Sequence, residues 1–181
     1  MEMFYTPCAI NTILSGKDPA FCTTQTGEKV MNEAVAFDIE TTSTRSRKDP
    51  DKKIAFMYCW MLDIFDCTIF GRTWEEFIET LRYISNHFKL NTKRRIIIYI
   101  HSLSYEFQFI RKWLNWTKVF ATEKRKPLYA ICDMGFEFRC SYRLCGYKLA
   151  KLGEQMGIEK LPDFDYRLIR TSKTILTERE K

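Results

Sequence analysis

Apolar and polar residues recur along this chain at spacings that predict a mixture of strands and helices. Dense, β-branched apolar runs predict strands at 34–40, 54–63, 65–70, 95–100, 119–122, 128–132 and 136–142. Helical spacing of apolar residues predicts helices at 74–89, 104–116 and 147–156. The polar stretch 41–53 has the composition of a loop, and the weakly patterned residues 1–33 predict an irregular arm or a short hairpin. This order predicts one α/β domain over 34–181, with a mixed sheet flanked by helices.

One helix start carries a specific signal. Thr73 stands three residues before Glu76, directly ahead of an apolar run at helical spacing. The Thr hydroxyl can accept from the Glu76 amide while the Glu carboxylate reaches back to the Thr amide, which is a capping box. The sequence therefore predicts a helix that begins at Trp74.

Charge adds a class of partner to this picture. The formal net charge is +6, and all of it resides in residues 101–181 because residues 1–100 sum to zero. Basic clusters occur at 93–95 and at Lys124, Arg125 and Lys126. An excess of positive charge suits nucleic acid, which is the commonest anionic partner, and the alternative is a merely solvated basic surface.

The seven cysteines and the apolar runs exclude several classes. There is no Cys-x-x-Cys pair, so neither a zinc site nor a disulfide framework is expected, and the thiols are predicted to be reduced and mostly buried. No apolar run reaches the roughly 20 residues that a membrane helix needs, and the first residues lack the order of a signal peptide. We expect a cytoplasmic protein with no membrane partner.

The sharpest chemical feature is a pair of acids at the end of the first long strand. Asp38 and Glu40 are two residues apart, so alternation along a strand turns both carboxylates to the same face. A divalent metal ion would remove their mutual repulsion and gain hard oxygen ligands. The alternative is a pair of exposed acids at a strand end, which is common.

A third acid follows the central strand at 95–100. A short polar loop containing Ser102 leads into a helix, and Glu106 falls in its first turn, at the strand ends where sheet-based sites usually lie. The alternative explanation is the helix dipole, which favours acids at any helix N-terminus.

Together these two segments resemble the first and second motifs of the DEDD-type 3′–5′ exonucleases. They look most like the proofreading domain of protein-primed, family B phage DNA polymerases, over roughly residues 34–181. The matching residues are Asp38, Glu40, Thr41, His101, Leu103 and Tyr105. Two positions depart from the family pattern, since Ser102 stands where Asn is usual and Glu106 stands where Asp is usual.

The resemblance implies an RNase H-like fold and a set of site residues. Asp38, Glu40 and Glu106 would be the catalytic acids and would hold Mg²⁺ or Mn²⁺. Single-stranded DNA or RNA would lie against eight further residues: five from the motif segments and three from the basic cluster. They are Thr41, Ser102, Leu103, Tyr105, Phe109, Lys124, Arg125 and Lys126.

The third motif of the family, a Tyr-x-x-x-Asp helix that supplies a fourth carboxylate, is expected after residues 171–177. Thr177 and Glu180 form another capping box there, and the sequence ends one residue later. Asp133, Asp163 and Asp165 are possible substitutes, although turn and surface positions fit them better. Because two-metal hydrolysis relies on a full set of carboxylates, we expect weak or absent hydrolysis from this chain alone.

Three functions follow from these features. The first is the exonuclease portion of a viral DNA polymerase in the host cytoplasm. The second is a phage-derived binding protein that has lost hydrolysis and inhibits a host nucleic-acid complex, for instance an RNA-guided defence complex. The third is a structural subunit of a replication complex with little affinity for nucleic acid.

Overall fold

The computed structural model describes residues 4–158, 165 and 167–177. Its strands are β1 (Phe4–Tyr5), β2 (Phe21–Thr23), β3 (Lys29–Met31), β4 (Val35–Arg45), β5 (Lys53–Ile64), β6 (Cys67–Gly71), β7 (Arg94–Ile100), β8 (Trp116–Glu123), β9 (Lys126–Cys132) and β10 (Phe136–Cys140). Its helices are α1 (Ile10–Leu14), α2 (Trp74–His87), α3 (Leu103–Ile110), α4 (Tyr142–Cys145) and α5 (Leu149–Met156), and a 3-10 turn covers Pro7–Ala9.

The strands form one mixed sheet. Its order is β1-β6-β5-β4-β7-β10-β9-β8, with β4, β7 and β10 parallel to one another in the middle. β2 and β3 form a hairpin, and β3 pairs in parallel with the start of β7. β4 pairs with the later part of β7, so β3 and β4 occupy successive stretches of the same edge of β7. The carboxyl ends of β7 and β10 therefore lie together beside β4, which continues past them to Arg45.

The core lies on one face of this sheet, where α1, α2 and α3 pack. Alternate residues of the central strands point into it, as in the rows Ile96, Ile98, Ile100 of β7 and Phe136, Phe138 of β10. On the helix side, the Phe77 ring lies 4.5 Å from that of Phe37 and 5.2 Å from that of Trp60, centroid to centroid. Gly71 is required next to Trp60, because a Cβ there would overlap the indole ring. We call the other side of the sheet the open face.

Several sequence predictions are confirmed. The strands at 54–63, 65–70, 95–100, 128–132 and the helix at 74–89 are present within two residues or so. The capping box is formed: the Thr73 hydroxyl accepts from the Glu76 amide at 3.2 Å, and the Glu76 carboxylate accepts from the Thr73 amide at 2.9 Å. Residues 1–33 include the β2–β3 hairpin, one of the two predicted alternatives, and also contribute β1 and α1.

Other predictions are wrong in ways that packing explains. The polar stretch 41–53 was expected to be a loop, but β4 continues to Arg45 and β5 begins at Lys53, because this run of threonines and a serine pairs in register with the apolar strand beside it. The helix expected over 104–116 ends at Ile110, and Trp116 begins β8 instead. Of the seven cysteines only Cys59, Cys132 and Cys140 are buried.

Within the described part of the chain, no helix is both long enough and apolar enough to span a bilayer. The second capping box lies outside the described residues, since only Thr177 of its four residues is described, and Asp163 lies outside them as well.

The Thr73 cap gives a stability prediction. Thr73→Ala removes the hydroxyl that accepts from Glu76, so we expect a loss of about 1 kcal/mol in the free energy of unfolding. Urea denaturation followed by circular dichroism would measure it. Thr73→Ser keeps the hydroxyl and should stay close to the parent protein, and an unchanged midpoint for Thr73→Ala would contradict the assigned role.

Candidate functional site

An open cavity of about 380 Å³ lies where β7 and β10 end beside β4, and it is lined by Asp38, His101 and Ser141. Ala36 of β4 pairs with Tyr99 of β7, so Asp38 and His101, each two residues later, stand at the same level. Ser141 follows β10, and its amide donates to the Ile100 carbonyl at 2.9 Å. Three parallel strands thus deliver one polar residue each to the same place.

Asp38 and Glu40 share a face, as their spacing predicts. The neighbours Phe37 and Ile39 are buried in the core, whereas Asp38 is exposed and Glu40 is half-buried. Both charges act on the Cys59 thiol of the adjacent strand: burial, together with the negative charges of Glu40 and Asp38, raises its pKa to about 12. The register shifts after Glu40, at a bulge in β4.

Glu106 is a buried acid whose pKa lies far above its ordinary value. Only 5% of it is exposed, and its Oε2 atom has no hydrogen-bond partner in the structure. Burial, together with the negative charge of Asp38, raises the pKa of its carboxyl to about 7, although a hydrogen bond from its own backbone amide opposes the shift. The structure therefore places Asp38 and Glu106, which are far apart in sequence, within electrostatic reach of each other.

The sequence motif included His101, but its role in the site was not anticipated. Its Nδ1 atom lies 3.4 Å from the Ser141 hydroxyl, and its ring meets that of Tyr142 edge-on at 5.8 Å between centroids. Its buried Nε2 atom has no hydrogen-bond partner among the described residues. Ser141 gave no signal of its own. Its only indication in the sequence is its place directly after a predicted strand.

Of the residues expected to line a single-strand groove, some are exposed and one is buried in the core. Thr41 Oγ1 and the Tyr105 hydroxyl are hydrogen-bonded, which ties β4 to α3, and the rings of Tyr105 and Phe109 lie 5.2 Å apart. Tyr105 is 42% exposed and Ser102 is exposed, but Leu103 is fully buried in the core. Core packing accounts for Leu103, so it is not available at the surface.

The basic cluster lies on the turn between β8 and β9. Lys124, Arg125 and Lys126 are all exposed, and Lys126 pairs with Glu123 at 2.8 Å. Because β9 runs antiparallel to β10, its beginning lies at the same edge of the sheet as the end of β10. The turn is thus at the level of the carboxylates but separated from β4 by β7, β10 and β9.

Two of the three predicted acidic ligands, Asp38 and Glu106, have an arrangement that suits a divalent cation. Mg²⁺ is commonly held by one or two carboxylates, with water or phosphate oxygens completing the shell. Asp38 and Glu106 offer such a pair, and the unpartnered Oε2 of Glu106 is a hard oxygen donor. Within the described residues, no group of three His, Cys, Asp or Glu side chains is arranged to hold a metal ion. The place of Glu40 as a third ligand therefore stays a prediction.

No protein-family model matches the chain, and no curated protein matches it in sequence. Solved structures do match in fold. Phi29 DNA polymerase in complex with primer-template DNA and incoming nucleotide substrates is 13% identical, with a TM-score of 0.62 over 82% of this chain and 27% of that one. The orthorhombic crystal form of phi29 DNA polymerase is 14% identical, with a TM-score of 0.63 over 82% and 27%. The same polymerase complexed with single-stranded DNA is 14% identical, with a TM-score of 0.60 over 82% and 28%.

These similarities show a shared fold, and with the mixed sheet flanked by helices they confirm the predicted RNase H-like class. This chain spans less than a third of the length of the polymerase chains that it matches.

The raised pKa of Glu106 gives a pH prediction. The carboxyl titrates near its ordinary 4.5 when unfolded and at about 7 when folded, so the folded state binds the extra proton and stability falls as pH rises from about 4.5 to about 7. A shift of this size corresponds to roughly 3 kcal/mol. Glutamine does not titrate, so Glu106→Gln should not lose this stability. The free energy of unfolding of Glu106→Gln minus that of the parent should therefore be roughly 2–3 kcal/mol larger at pH 8 than at pH 4.5.

Chemical denaturation at the two pH values, with a chelator present, would measure this difference. Glu75→Gln changes an exposed acid in the first turn of α2 and should show no such trend. A parent protein and Glu106→Gln variant with parallel pH profiles would refute the assignment.

Proposed function

We propose that this chain is the 3′–5′ exonuclease portion of a viral DNA polymerase, which acts on single-stranded nucleic acid in the host cytoplasm and uses Mg²⁺ or Mn²⁺. The observation that carries the proposal is the buried Glu106 carboxyl, which faces the charge of Asp38 and has an unpartnered oxygen. The motif residues of the sequence and the fold shared with phi29 DNA polymerase support it.

The electrostatics of this pair favour a cation. Burying an acid next to a second acid is unfavourable, and no basic side chain among the described residues lowers the pKa of Glu106. A divalent ion between the two carboxylates would remove both the burial penalty and the repulsion. Asp38 and Glu106 would hold it, with Glu40 on the same face as the proposed third ligand. When bound, such an ion supplies positive charge that stabilises the negative charge developing on a phosphate and its leaving oxygen.

The surrounding residues suit a nucleic-acid end. Tyr105, held by its hydrogen bond with Thr41, and Phe109 form an aromatic wall beside the acids on which a terminal base can stack. His101, with Nε2 unpartnered, lies on the same cavity as Asp38 and can donate to or accept from a phosphate oxygen. The structures of phi29 DNA polymerase with primer-template DNA and with single-stranded DNA support nucleic acid as the ligand class.

A second candidate is binding without hydrolysis. It is favoured by the absence, within the described residues, of a three-acid group and by the exposed basic turn at the site edge. In this case affinity for nucleic acid should fall steeply with salt, as counterion release requires, while strands stay intact. The narrower hypothesis of an inhibitor of a host RNA-guided defence complex rests on the resemblance to phage polymerases, and a pull-down from host lysate tests it.

Cleavage gives the direct test. A 5′-labelled single strand incubated with Mn²⁺ should shorten from its 3′ end, slowly because few acids surround the ion. Asp38→Asn should abolish shortening, whereas Asp66→Asn, an acid in the β5–β6 turn, should leave it unchanged. Intact strands after long incubation at high protein concentration would reject hydrolysis and favour the binding function.

Metal binding has a separate readout. At pH 8, where the Glu106 carboxyl is ionised, Mn²⁺ should raise the melting temperature of the parent protein, because a ligand that binds only the folded state stabilises it. The effect should be small at pH 5, where the proton competes with the ion for this carboxyl. Glu106→Gln should lose the shift at pH 8, and Glu75→Gln should retain it. An equal shift in all three proteins would show that Mn²⁺ binds elsewhere.

A further inference from the structure

The half of the sheet formed by β7, β10, β9 and β8 carries a row of aromatic and basic side chains across its open face. The backbone register places four residues side by side on these four strands, in the order Tyr99, Arg139, Tyr129 and Phe120. Neighbouring strands are about 4.8 Å apart, so the row is about 14 Å long. It begins beside Ala36 of β4, two residues before Asp38.

The outer end of the row presents aromatic rings to solvent. Phe120 is 48% exposed, and its ring stacks on that of Tyr129 at 5.5 Å with an angle of 23° between the planes. The ammonium group of Lys118 lies 5.5 Å from the centre of the Tyr129 ring. Exposed aromatic faces next to cations are the surface on which single-stranded bases stack, whatever their sequence.

A cavity of about 930 Å³ adjoins the row and carries a positive excess. Among the described residues that line it, four are cations (Arg95, Lys118, Arg139 and Arg143) and two are carboxylates (Glu28 and Glu137). This balance suits a polyanion.

The excess charge is directed outward. The buried Glu137 carboxylate accepts from Nε of Arg95 at 3.1 Å and from Nε of Arg139 at 2.7 Å, so its own charge is already compensated. The side chain of Arg139 is 39% exposed, and its terminal amino groups make no hydrogen bond to any described residue. They are therefore available to a ligand phosphate.

We infer that Lys118, Phe120, Tyr129, Arg139 and Arg143, here named the aromatic–arginine platform, bind single-stranded nucleic acid outside the carboxylate site. Bases stack on Phe120 and Tyr129, and phosphates contact the three cations. At 3.4 Å per stacked base, the row holds about four bases. This inference rests on the proposed function only in its choice of nucleic acid as the ligand. Binding to the platform itself needs neither a metal ion nor Asp38.

Fluorescence anisotropy with labelled oligothymidylates in a chelator tests the platform apart from hydrolysis. A 12-mer should bind the parent protein at least tenfold more tightly than a 3-mer. Phe120→Ala should weaken 12-mer binding about five- to tenfold, the low end of what the loss of one stacked base costs. Lys118→Gln should weaken it and reduce the slope of log affinity against log salt by about 1.

Two matched controls and one reporter complete the design. Val119→Ala alters the neighbouring residue, which is 46% exposed on the other face of β8, and should leave affinity unchanged. Asp38→Asn should retain 12-mer binding even if it abolishes cleavage. Phe120→Trp should keep the affinity, and its fluorescence should be quenched as bases stack, which also covers the case in which Phe120→Ala fails to fold.

Equal affinity of the parent and Phe120→Ala for the 12-mer would overturn the platform. So would equal losses in Phe120→Ala and Val119→Ala, or an unquenched Phe120→Trp. Loss of binding in Asp38→Asn alone would overturn the platform while leaving the carboxylate site as the nucleic-acid site. Preference for an acidic peptide over the 12-mer would identify a protein ligand instead.

Discussion

Alternation of side chains along the central strands is the constraint on which both the core and the polar face depend. Burial of Phe37 and Ile39 of β4 against the helices leaves Asp38 on the open face, and burial of Phe138 of β10 leaves Arg139 there. A slip of one residue would exchange the two sets and place a carboxylate in the core. Hydrophobic burial on one side of the sheet therefore positions the chemistry on the other, without any attraction between the polar groups themselves.

Two buried acids, Glu137 on β10 and Glu106 on α3, have opposite electrostatic environments. Glu137 is 3% exposed and is bound by two guanidinium groups, so the protein itself compensates its charge. Glu106 is 5% exposed, has an unpartnered oxygen and faces another acid. A buried charge without a partner is costly enough that the group stays protonated instead. The charge of Glu137 is thus compensated within the protein, whereas burial and the charge of Asp38 favour the protonated form of Glu106.

The sequence predicted those features that depend on local pattern. The capping box at Thr73 and Glu76 and the central strand predicted at 95–100 follow from neighbouring residues alone, and both are present, the strand from Arg94 to Ile100. The extension of β4 to Arg45 was missed because polar threonines there pair with β5, a tertiary contact that outweighs composition. The likeness of Asp38 and Glu106 to a known motif predicted their proximity, but the row from Tyr99 to Phe120 depends on strand order and register. Such pairing over long sequence separations has no local signature.

The open face combines two fields of opposite sign. Asp38 lies two residues, about 7 Å, along β4 from Ala36, the residue beside Tyr99 at the start of the row. Glu106 lies near Asp38. Cations dominate the far half of the face, around Lys118, Arg139 and Arg143. A polyanion is therefore attracted to the outer strands and repelled near β4 for as long as both acids are ionised and uncompensated. A divalent cation that neutralised the carboxylates would remove that repulsion. A nucleic-acid strand bound on the outer strands could then continue along the open face as far as Asp38 and Glu106.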